Sequence, residues 1–554
     1  MFKHEHPINQ VVPEFELDGS DLTLSQLERL NQKGSRIATK LGSPVIDRMM
    51  QSVRVVEESL DAKQVVYGVT TGFGGMSGTL VDCVEAGSLQ ENLITFLAAG
   101  AGPEIESVHT RSAMLLRANV LMQGCSGIRP KIIEQILRYY DSGAVPIVRE
   151  LGSIGASGDL IPLSTLARAV TGVGGRVAVR IGAEKYNSSQ ALKKIGLKPI
   201  PLQAKEGLAL INGTSFSCAI AANATIAAKQ LLSVSMVVQA ILMTALKVDL
   251  NPFQSFVHDC KPHPGQAWAA KVIRDLVHPV SGQHAAGEMV QDRYSIRCFP
   301  QYCAPIVEGI ARVGRTIQTE MNSISDNPLI HNSEKRYYQS GNFLGQYIGI
   351  AMDDLRRMIG LLAKHLDVQI ASLVAPEFNK GLSASLVGNS KHAYNMGLKG
   401  LQICGNSIMP MLTYMGNPIV EHFPTHAEQF NQNINSMSWG AANLAWNSIK
   451  MFRQYLAVSS LFAVQAIDLR AKSELGHFGG HELLRGTCRS FYESVCQLLD
   501  VECQNQRPYL FDDVDRWLEQ DVDVVANDLA VKDKLIPSVG SVSHEFAEFC
   551  GANL

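Results

Sequence analysis

The segment Gly152-Ser153-Ile154-Gly155-Ala156-Ser157-Gly158-Asp159-Leu160-Ile161-Pro162-Leu163-Ser164 carries the most informative pattern in this chain of 554 residues. Its glycines at 152, 155 and 158 allow positive φ angles and tight turns that a side chain would hinder. A sharp bend could bring the amide nitrogen of residue 158 against the carbonyl carbon of residue 156. Cyclisation and loss of water, including the serine hydroxyl, would then leave an exocyclic methylidene. This carbon is an electrophile, which no ordinary side chain provides.

Taken alone, Ala-Ser-Gly is also typical of a Gly/Ser-rich loop in which Asp159 caps the apolar helix that follows. The longer string GSIGASGDLIPLS resembles the signature of the histidine and phenylalanine ammonia-lyase family. Members of that family form a 4-methylidene-imidazol-5-one (MIO) group autocatalytically from Ala-Ser-Gly. The resemblance implies that Ala156, Ser157 and Gly158 form MIO here, with no metal and no external cofactor.

The composition favours a globular protein with a small-molecule ligand. Hydrophobic residues make up 46% of the chain and charged residues 18%, and the net charge of -3 suggests neither a nucleic-acid nor a membrane partner. The 11 cysteines include no C-x-x-C pair, which favours free thiols. His477 and His481 lack an HExxH motif, so zinc is disfavoured. The N-terminal residues do not resemble a signal peptide, and we therefore expect a cytoplasmic protein.

A second glycine-rich stretch, YGVTTGFGG at residues 67–75, predicts a loop that starts at Tyr67. A phosphate-binding loop is disfavoured, because no Gly-Lys-Ser/Thr follows and no GxGxxG opens a helix. A buried structural tyrosine is the ordinary alternative. The stretch resembles the catalytic-tyrosine loop of the same family, which implies that Tyr67 is the general acid or base. We expect helix N-termini near Asn212 and Gly158 to provide positive potential there.

Residues 88–102 predict a helix that ends at Gly100, with Leu93, Phe96 and Leu97 on one face. Core packing would explain this pattern. In the family, however, the two residues at the positions of Phe96-Leu97 face the substrate ring, where a Ser-His pair accompanies histidine and a His-Leu pair tyrosine. An apolar pair favours phenylalanine, because an unpaired phenol hydroxyl or imidazole nitrogen costs about 1–3 kcal/mol.

Two asparagines precede predicted helices. Asn212, in EGLALINGTS, stands at the entrance of a long helix from about residue 214, and Asn342, in GNFLGQY, stands at the start of another. Helix capping or a turn is the general explanation for both. The family resemblance implies instead that Asn212 hydrogen-bonds to MIO or to the substrate, and that Asn342 is an active-site residue.

The segment QDRYSIRC, residues 291–298, places Tyr294 and Arg297 three residues apart, on one face of a helix. A guanidinium can bind a carboxylate through two parallel hydrogen bonds. A surface ion pair is the alternative for an isolated arginine. The family resemblance implies that Arg297 holds the substrate carboxylate, that Gln291 is a polar contact and that Tyr294 is a second catalytic tyrosine.

The segment FPTHAEQFNQNINS, residues 423–436, spaces Glu428, Asn431 and Gln432 as one polar face of a helix. A solvated helix face is the ordinary explanation. The stretch resembles phenylalanine-type members of the family, which implies that these three residues line the pocket near the substrate amine. Lys399, in GLKGLQICGNS, is a further predicted substrate-binding residue.

The predicted fold class is mainly α: a long-helix bundle of the histidine ammonia-lyase type with a smaller N-terminal lobe that carries the MIO loop. Residues 441–475 contain neither Gly nor Pro and repeat apolar residues at helical spacing, which predicts a helix of roughly 50 Å. We place the lobe with the tyrosine loop and MIO segment at residues 1–200, and the bundle with C-terminal helices at residues 201–554. The family resemblance also implies a homotetramer with shared active sites.

Together, the motifs between Tyr67 and about Ile467 imply non-oxidative conversion of L-phenylalanine to trans-cinnamate and ammonia. Whether MIO is attacked by the amine or by the ring is left open. Three alternatives are a phenylalanine 2,3-aminomutase, a tyrosine or histidine ammonia-lyase, and a helical scaffold without MIO. A β-phenylalanine product would indicate the aminomutase, and a protein mass without the loss of two waters would indicate the scaffold.

Overall fold

The computed structural model describes residues 14–32, 34–278, 290–501 and 506–552. Helices dominate these residues, as the predicted fold class requires. In chain order they are α1 (Leu24–Leu30), α2 (Ser43–Asp61), α3 (Ala86–Phe96), α4 (Ser107–Met122), α5 (Pro130–Asp141), α6 (Leu160–Thr171), α7 (Ser188–Lys194), α8 (Glu206–Ile211), α9 (Ser215–Ala245), α10 (Ser255–Asp259), α11 (Pro264–Leu276), α12 (Tyr294–Arg297), α13 (Phe299–Met321), α14 (Gln346–Val374), α15 (Lys399–Met415), α16 (Ser438–Leu475), α17 (Gly486–Leu498), α18 (Leu518–Val531), α19 (Leu535–Ser538) and α20 (Gly540–Ala552).

In the described part of the chain, seven short strands form small antiparallel sheets. They are β1 (Ala101–Glu104), β2 (Ala144–Pro146), β3 (Arg149–Leu151), β4 (Ala178–Ile181), β5 (Glu184–Asn187), β6 (Leu329–His331) and β7 (Arg336–Tyr338). β1 pairs with β3, β4 pairs with both β2 and β5, and β6 pairs with β7. The sheets are thus local additions to a helical protein.

The contacts divide the chain into two units, each built from separated segments. The first comprises residues 1–223, 315–352 and 418–443, and the second comprises residues 224–314, 353–417 and 444–554. The predicted division near residue 200 separates two continuous stretches of sequence, whereas each of these units is built from several segments. Later segments, including residues 418–443, join the N-terminal residues in the first unit, and sequence order alone does not reveal such a return.

Two long helices agree with the apolar patterns in the sequence. α16 covers the predicted helix at residues 441–475 and begins slightly earlier, at Ser438. α9 is predominantly apolar, and 89% of its most apolar 18-residue window is buried in the protein. It is long and apolar enough to span a membrane by length and composition, but burial of this kind is also typical of a core helix.

Three helices of the first unit, α3, α6 and α8, pack against one another. α3 ends at Phe96, whereas the sequence predicted an end at Gly100. Leu97 leaves helical geometry with ψ 12°, and the chain then enters β1, which pairs with β3. The strand pairing thus ends the helix before the glycine. The loops that follow or precede these helices carry the candidate site.

Candidate active site

The Ala-Ser-Gly segment is sharply bent just before α6. Gly155 and Gly158 have φ angles of 67° and 71°, in the left-handed region that favours glycine. Gly158 forms a parallel bridge with Gly213, and the N–H of Asp159 donates a 2.7 Å hydrogen bond to the Gly213 carbonyl. A Cβ atom on Gly158 would lie 2.0 Å from that carbonyl oxygen, so position 158 has no room for a side chain.

Two side-chain amides hold the two oxygen atoms of Ser157. Asn212 Nδ2 donates a 3.1 Å hydrogen bond to the Ser157 carbonyl oxygen. Gln432 Nε2 donates a 2.8 Å hydrogen bond to Ser157 Oγ. Residues far apart in sequence thus converge on the central residue of the tripeptide.

Serine hydroxyls hold the backbone on either side of Ser157. Ser436 Oγ donates to the carbonyl of Gly155 at 2.8 Å, and Ser153 Oγ donates to the carbonyl of Gly158 at 3.0 Å. These hydrogen bonds fix the bend, because they hold the carbonyl just before the tripeptide and the carbonyl of its last residue.

These positions fit the MIO group that the sequence resemblance implies. Ring closure needs a bent backbone at Gly158, which the left-handed φ and the missing side chain allow. The ring would contain the carbonyl of residue 157, and Asn212 already donates to that oxygen. The residues present can therefore both close the ring and bind its carbonyl.

Asp159, next to the tripeptide, is fully buried, and its role differs from the one predicted. Its side chain makes no capping hydrogen bond to α6. Instead, its Oδ2 accepts from the N–H and the hydroxyl of Ser217, in the first turn of α9, at 2.7 and 2.9 Å. Burial raises the pKa of Asp159 to about 6, and the hydrogen bonds from Ser217 oppose this rise.

A buried arginine lies close to the same turn. Arg117 donates to the carbonyl oxygens of Ala209 and Asn212, the latter at 3.0 Å. Burial lowers the pKa of Arg117 to about 10, while the charges of Asp326 and Asp159 raise it. Arg117 thus fixes the main chain of Asn212, whose side chain binds Ser157.

Tyr67 is half-buried at the start of its glycine-rich loop. The N–H of Gly74 donates a 3.0 Å hydrogen bond to Tyr67 Oη, and the ring of Phe73 packs edge-on at 6.5 Å between centroids. The loop therefore folds back on its own tyrosine. The Gly74 N–H thus fixes the position of the phenolic oxygen.

A cavity of about 790 Å³ in the first unit brings Tyr67 and Ser157 together. Both apolar and polar residues line the cavity. The apolar residues include Leu89, Leu93, Phe96, Leu97, Leu160, Leu208, Ile211, Phe343 and Leu344. The polar residues include Tyr67, Asn92, Ser157, Asn212, Glu428, Asn431, Gln432 and Asn433. A cavity lined by both kinds of residue can hold a ligand that carries an aromatic ring and polar groups.

Nine of the fifteen predicted site residues line this cavity. They are Tyr67, Phe96, Leu97, Ala156, Ser157, Asn212, Glu428, Asn431 and Gln432. Gly158 lies directly behind Ser157, in the bridge to Gly213. The convergence of these residues from distant motifs is a finding of the structure, and their individual roles stay predictions.

Four predicted site residues belong to the second unit and are not among the described residues that line the cavity. They are Gln291, Tyr294, Arg297 and Lys399. Tyr294 and Arg297 form the ends of α12, and the Arg297 guanidinium lies 4.6 Å from the centroid of the Tyr294 ring. The predicted shared face is therefore correct. Lys399 is exposed at the first position of α15.

Asn342 does not stand at a helix start as predicted. α14 begins four residues later, at Gln346, and the side chain of Asn342 donates to the carbonyl of Ile324 at 3.3 Å. Its neighbours Gly341 and Phe343 line the cavity, whereas Asn342 does not. The Asn342 N–H donates to Ser340 Oγ, so this residue belongs to a turn.

Glu428, Asn431 and Gln432 do not share the face of a helix. Residues 428–430 have φ angles of 52°, 54° and 65°, and a bridge between Ala427 and Gln432 closes this left-handed turn. The turn packs against the tyrosine loop, since a Cβ on Gly74 would lie 2.5 Å from Glu428 Oε2. The helix prediction was wrong because a one-turn left-handed loop also brings residues i, i+3 and i+4 together.

Several cavity residues were not predicted individually. Leu208 and Ile211 occur in the motif that led to Asn212, and Phe343 and Leu344 follow Asn342. Their apolar character next to a polar motif residue was the available indication. This apolar character could not distinguish cavity residues from core residues, because the same pattern is typical of core packing.

Comparisons with known proteins agree with this site. Residues 22–492 match the family model for aromatic amino acid lyase. The chain is 43% identical to a phenylalanine ammonia-lyase of Nostoc punctiforme over 519 residues, which is 92% of this chain and 91% of the relative.

Two solved structures have the same fold along nearly the whole chain. Histidine ammonia-lyase from Trypanosoma cruzi gives a TM-score of 0.84 at 27% identity, covering 97% of both chains. A phenylalanine aminomutase of Pantoea agglomerans gives 0.83 at 27% identity, covering 93% of this chain and 98% of the other. The fold, the converging motifs and these matches show that this chain is an enzyme that belongs to the aromatic amino acid lyase family.

Proposed function

We propose that this enzyme converts L-phenylalanine to trans-cinnamate and ammonia. The observation that carries the proposal is the position of Ser157, which lies between the amide donors Asn212 and Gln432 in a cavity shared with Tyr67 and the apolar residue Phe96. This arrangement combines a candidate electrophile, a candidate base and a ring-binding wall.

Ala156, Ser157 and Gly158 are the residues that would form MIO. When formed, that group supplies an electrophilic carbon at which the substrate is activated for loss of ammonia. Asn212 Nδ2, 3.1 Å from the carbonyl oxygen of residue 157, would draw electron density toward that oxygen. The fully buried Arg117 holds the main chain of Asn212 and so preserves this contact.

Tyr67 is the proposed base for the β-hydrogen of the substrate. Tyr67 lines the cavity that also contains Ser157, and the Gly74 N–H donates to its phenolic oxygen at 3.0 Å. This hydrogen bond holds the phenolic oxygen in place for proton transfer. The 67–75 loop packs against the Glu428 turn, which supports the position of this loop.

The apolar part of the cavity is the proposed site of the substrate ring. Leu97 and Leu93 are buried, while Phe96 is 55% exposed and lines the cavity. A phenyl ring can cover such a surface without leaving a polar atom unpaired. A phenol or an imidazole would lose a hydrogen bond to water at this wall, which favours phenylalanine over tyrosine and histidine.

The substrate carboxylate and amine require charged partners. We assign the carboxylate to Arg297, with Gln291, Tyr294 and Lys399 nearby, in a homotetramer in which a neighbouring copy contributes these residues. The motivation is that none of the four lines the cavity of its own chain. Glu428, which lines that cavity with Asn431 and Gln432, is the proposed partner of the amine. The cytoplasmic location stays a prediction.

Incubation of the purified enzyme with L-phenylalanine, L-tyrosine and L-histidine tests the proposal. We expect trans-cinnamate and ammonia in equal amounts from phenylalanine, with slower reaction of the other two. Ser157→Ala is the matched control and should release none. Accumulation of β-phenylalanine would identify a phenylalanine aminomutase like the Pantoea relative, and release of urocanate or coumarate as the main product would overturn the substrate assignment.

A further inference from the structure

Gln90, on α3, is a fully buried side chain that joins two segments of the active site. Its Nε2 donates a 2.9 Å hydrogen bond to the carbonyl of Gly68, the residue after Tyr67. Its Oε1 accepts a 2.9 Å hydrogen bond from the N–H of Leu208, which lines the cavity. Both ends of the amide are thus bound to main-chain groups next to the site.

The Oε1 atom of Gln90 also binds an N–H group in the first turn of α8. Leu208 is the third residue of that helix, and its N–H belongs to the first turn, where no partner exists within the helix. α8 is only six residues long, and the residue that follows it is Asn212, which donates to the Ser157 carbonyl. Because α8 is so short, a displacement of its first turn also displaces Asn212.

The three segments around Gln90 are in tight contact. A Cβ on Gly68 would lie 2.7 Å from Leu208 Cδ2, and a Cβ on Gly207 would lie 2.7 Å from the Gln90 carbonyl oxygen. Glycines at 68 and 207 thus allow the tyrosine loop, α3 and α8 to approach more closely than side chains would permit. The Gln90 amide can be exchanged for an apolar group only by leaving two buried main-chain groups unpaired.

We propose that Gln90 is a positioning residue that sets the distance between the Tyr67 hydroxyl and residue 157. It acts through Gly68 on one side and through Leu208, α8 and Asn212 on the other, and it does not itself touch the cavity. This inference rests on the proposed function, because it concerns the separation between the base and the electrophile. Misplacement of about 1 Å costs on the order of 100-fold in rate.

The test compares Gln90→Leu and Gln90→Glu with the same changes at Gln135. Gln135 is a matched control in the same unit, since it is also buried and its Nε2 donates to the carbonyls of Val170 and Lys198 at 2.6 and 3.1 Å. It does not line the cavity. Cinnamate release, melting temperature and intact mass are measured for all five proteins, the wild type included.

We expect Gln90→Leu to lower kcat roughly 10- to 100-fold with a smaller change in KM, while the intact mass still shows the loss of two waters. Gln135→Leu should lower the melting temperature similarly and keep kcat near wild type. In Gln90→Glu, an ionised carboxylate cannot donate to Gly68, whereas a protonated one can. The kcat of Gln90→Glu, relative to wild type at the same pH, should therefore rise as the pH falls, and that of Gln135→Glu should not.

Three outcomes would overturn the inference while leaving the proposed function intact. The first is a loss of kcat at Gln90 no larger than at Gln135, and the second is a pH-independent ratio for Gln90→Glu. The third is that both Gln90 variants fail to fold while both Gln135 variants fold, which would make Gln90 purely structural. A wild-type enzyme that releases no cinnamate would instead count against the proposed function itself.

Discussion

Gly158 and Gly213 lie side by side in a parallel bridge, and a Cβ atom on Gly158 would lie 2.0 Å from the Gly213 carbonyl oxygen. This approach fixes the last residue of the tripeptide against the turn that carries Asn212. The tripeptide and the side chain of Asn212, which donates to Ser157, are therefore held together by a backbone contact between segments 55 residues apart in sequence.

Gly158→Ala should abolish ring closure, because a methyl group cannot fit against the Gly213 carbonyl and the left-handed φ of 71° disfavours alanine. We expect an intact mass that shows no loss of water and no cinnamate release. Gly182→Ala is the matched control, since Gly182 has a φ of 61° and no heavy atom lies within 4 Å of its added Cβ. A Gly158→Ala protein with normal mass loss would contradict the assignment.

Asn212→Ala removes the donor to the carbonyl of residue 157, and we expect kcat to fall roughly 100-fold, as when one oxyanion donor is removed. The control is Asn332→Ala, which removes an amide that donates to the main-chain carbonyls of Arg48 and Gly124 instead. Initial rates with saturating phenylalanine provide the comparison. Equal kcat values in the two variants would show that the donor does not act on the reaction.

Phe96→His should increase the preference for tyrosine, because an imidazole can pair with the phenol hydroxyl that the apolar wall leaves unpaired. The ratio of kcat/KM for tyrosine to that for phenylalanine should rise by about tenfold or more, which corresponds to one restored hydrogen bond. Thr95→His is the control, since Thr95 neighbours Phe96 on α3 but does not line the cavity. An unchanged ratio in Phe96→His would place the ring elsewhere.

His365 should make the protein sensitive to acid. Burial lowers its pKa to about 4 from an ordinary value of 6.5, and its Nδ1 lies 2.7 Å from Gln239 Oε1. Between about pH 4 and pH 6.5, the unfolded state binds more protons than the folded state does. The free energy of unfolding therefore falls as the pH falls, by up to about 3 kcal/mol.

His365→Gln should reduce this loss of stability. Denaturant unfolding at several pH values between neutrality and about pH 4 measures it, with His544→Gln as the control, because the His544 side chain is 74% exposed. If wild type, His365→Gln and His544→Gln lose equal stability on acidification, burial of His365 is not the cause.

The sequence was most informative where the chemistry depends on adjacent residues. Ala156-Ser157-Gly158 and Tyr67 could be identified because each belongs to a short glycine-rich string whose backbone freedom is visible in its composition. α9 and α16 were predictable for a similar reason, since long apolar repeats without Gly or Pro have few other solutions.

The sequence was least informative where tertiary contacts override local preference. Residues 428–430 adopt three consecutive left-handed conformations, each disfavoured for an L-residue by about 1–2 kcal/mol, because the turn is closed by Ala427 and Gln432 and packs against Gly74. No local pattern predicts such a turn. Asp159 likewise binds the start of α9, and Ser217, its partner there, is 58 residues away.

The assignment of Arg297 and Tyr294 shows a further limit of sequence reasoning. Their spacing predicted the shared face that α12 has, with the guanidinium 4.6 Å from the ring centroid. Spacing cannot specify which copy of a chain completes which cavity. An active hybrid assembled from Tyr67→Phe and Arg297→Ala chains, each inactive alone, would support shared sites, whereas hybrids without activity would contradict them.

The central claim is that three consecutive residues become an electrophile in a cavity that accepts a phenyl ring. Mass spectrometry of the peptide containing residues 152–164, taken from enzyme that is releasing cinnamate, tests it most directly. The account predicts a peptide lighter than its sequence by two water molecules, with the change confined to Ala156-Ser157-Gly158. A peptide of unaltered mass, with an intact Ser157 hydroxyl in fully active enzyme, would contradict it.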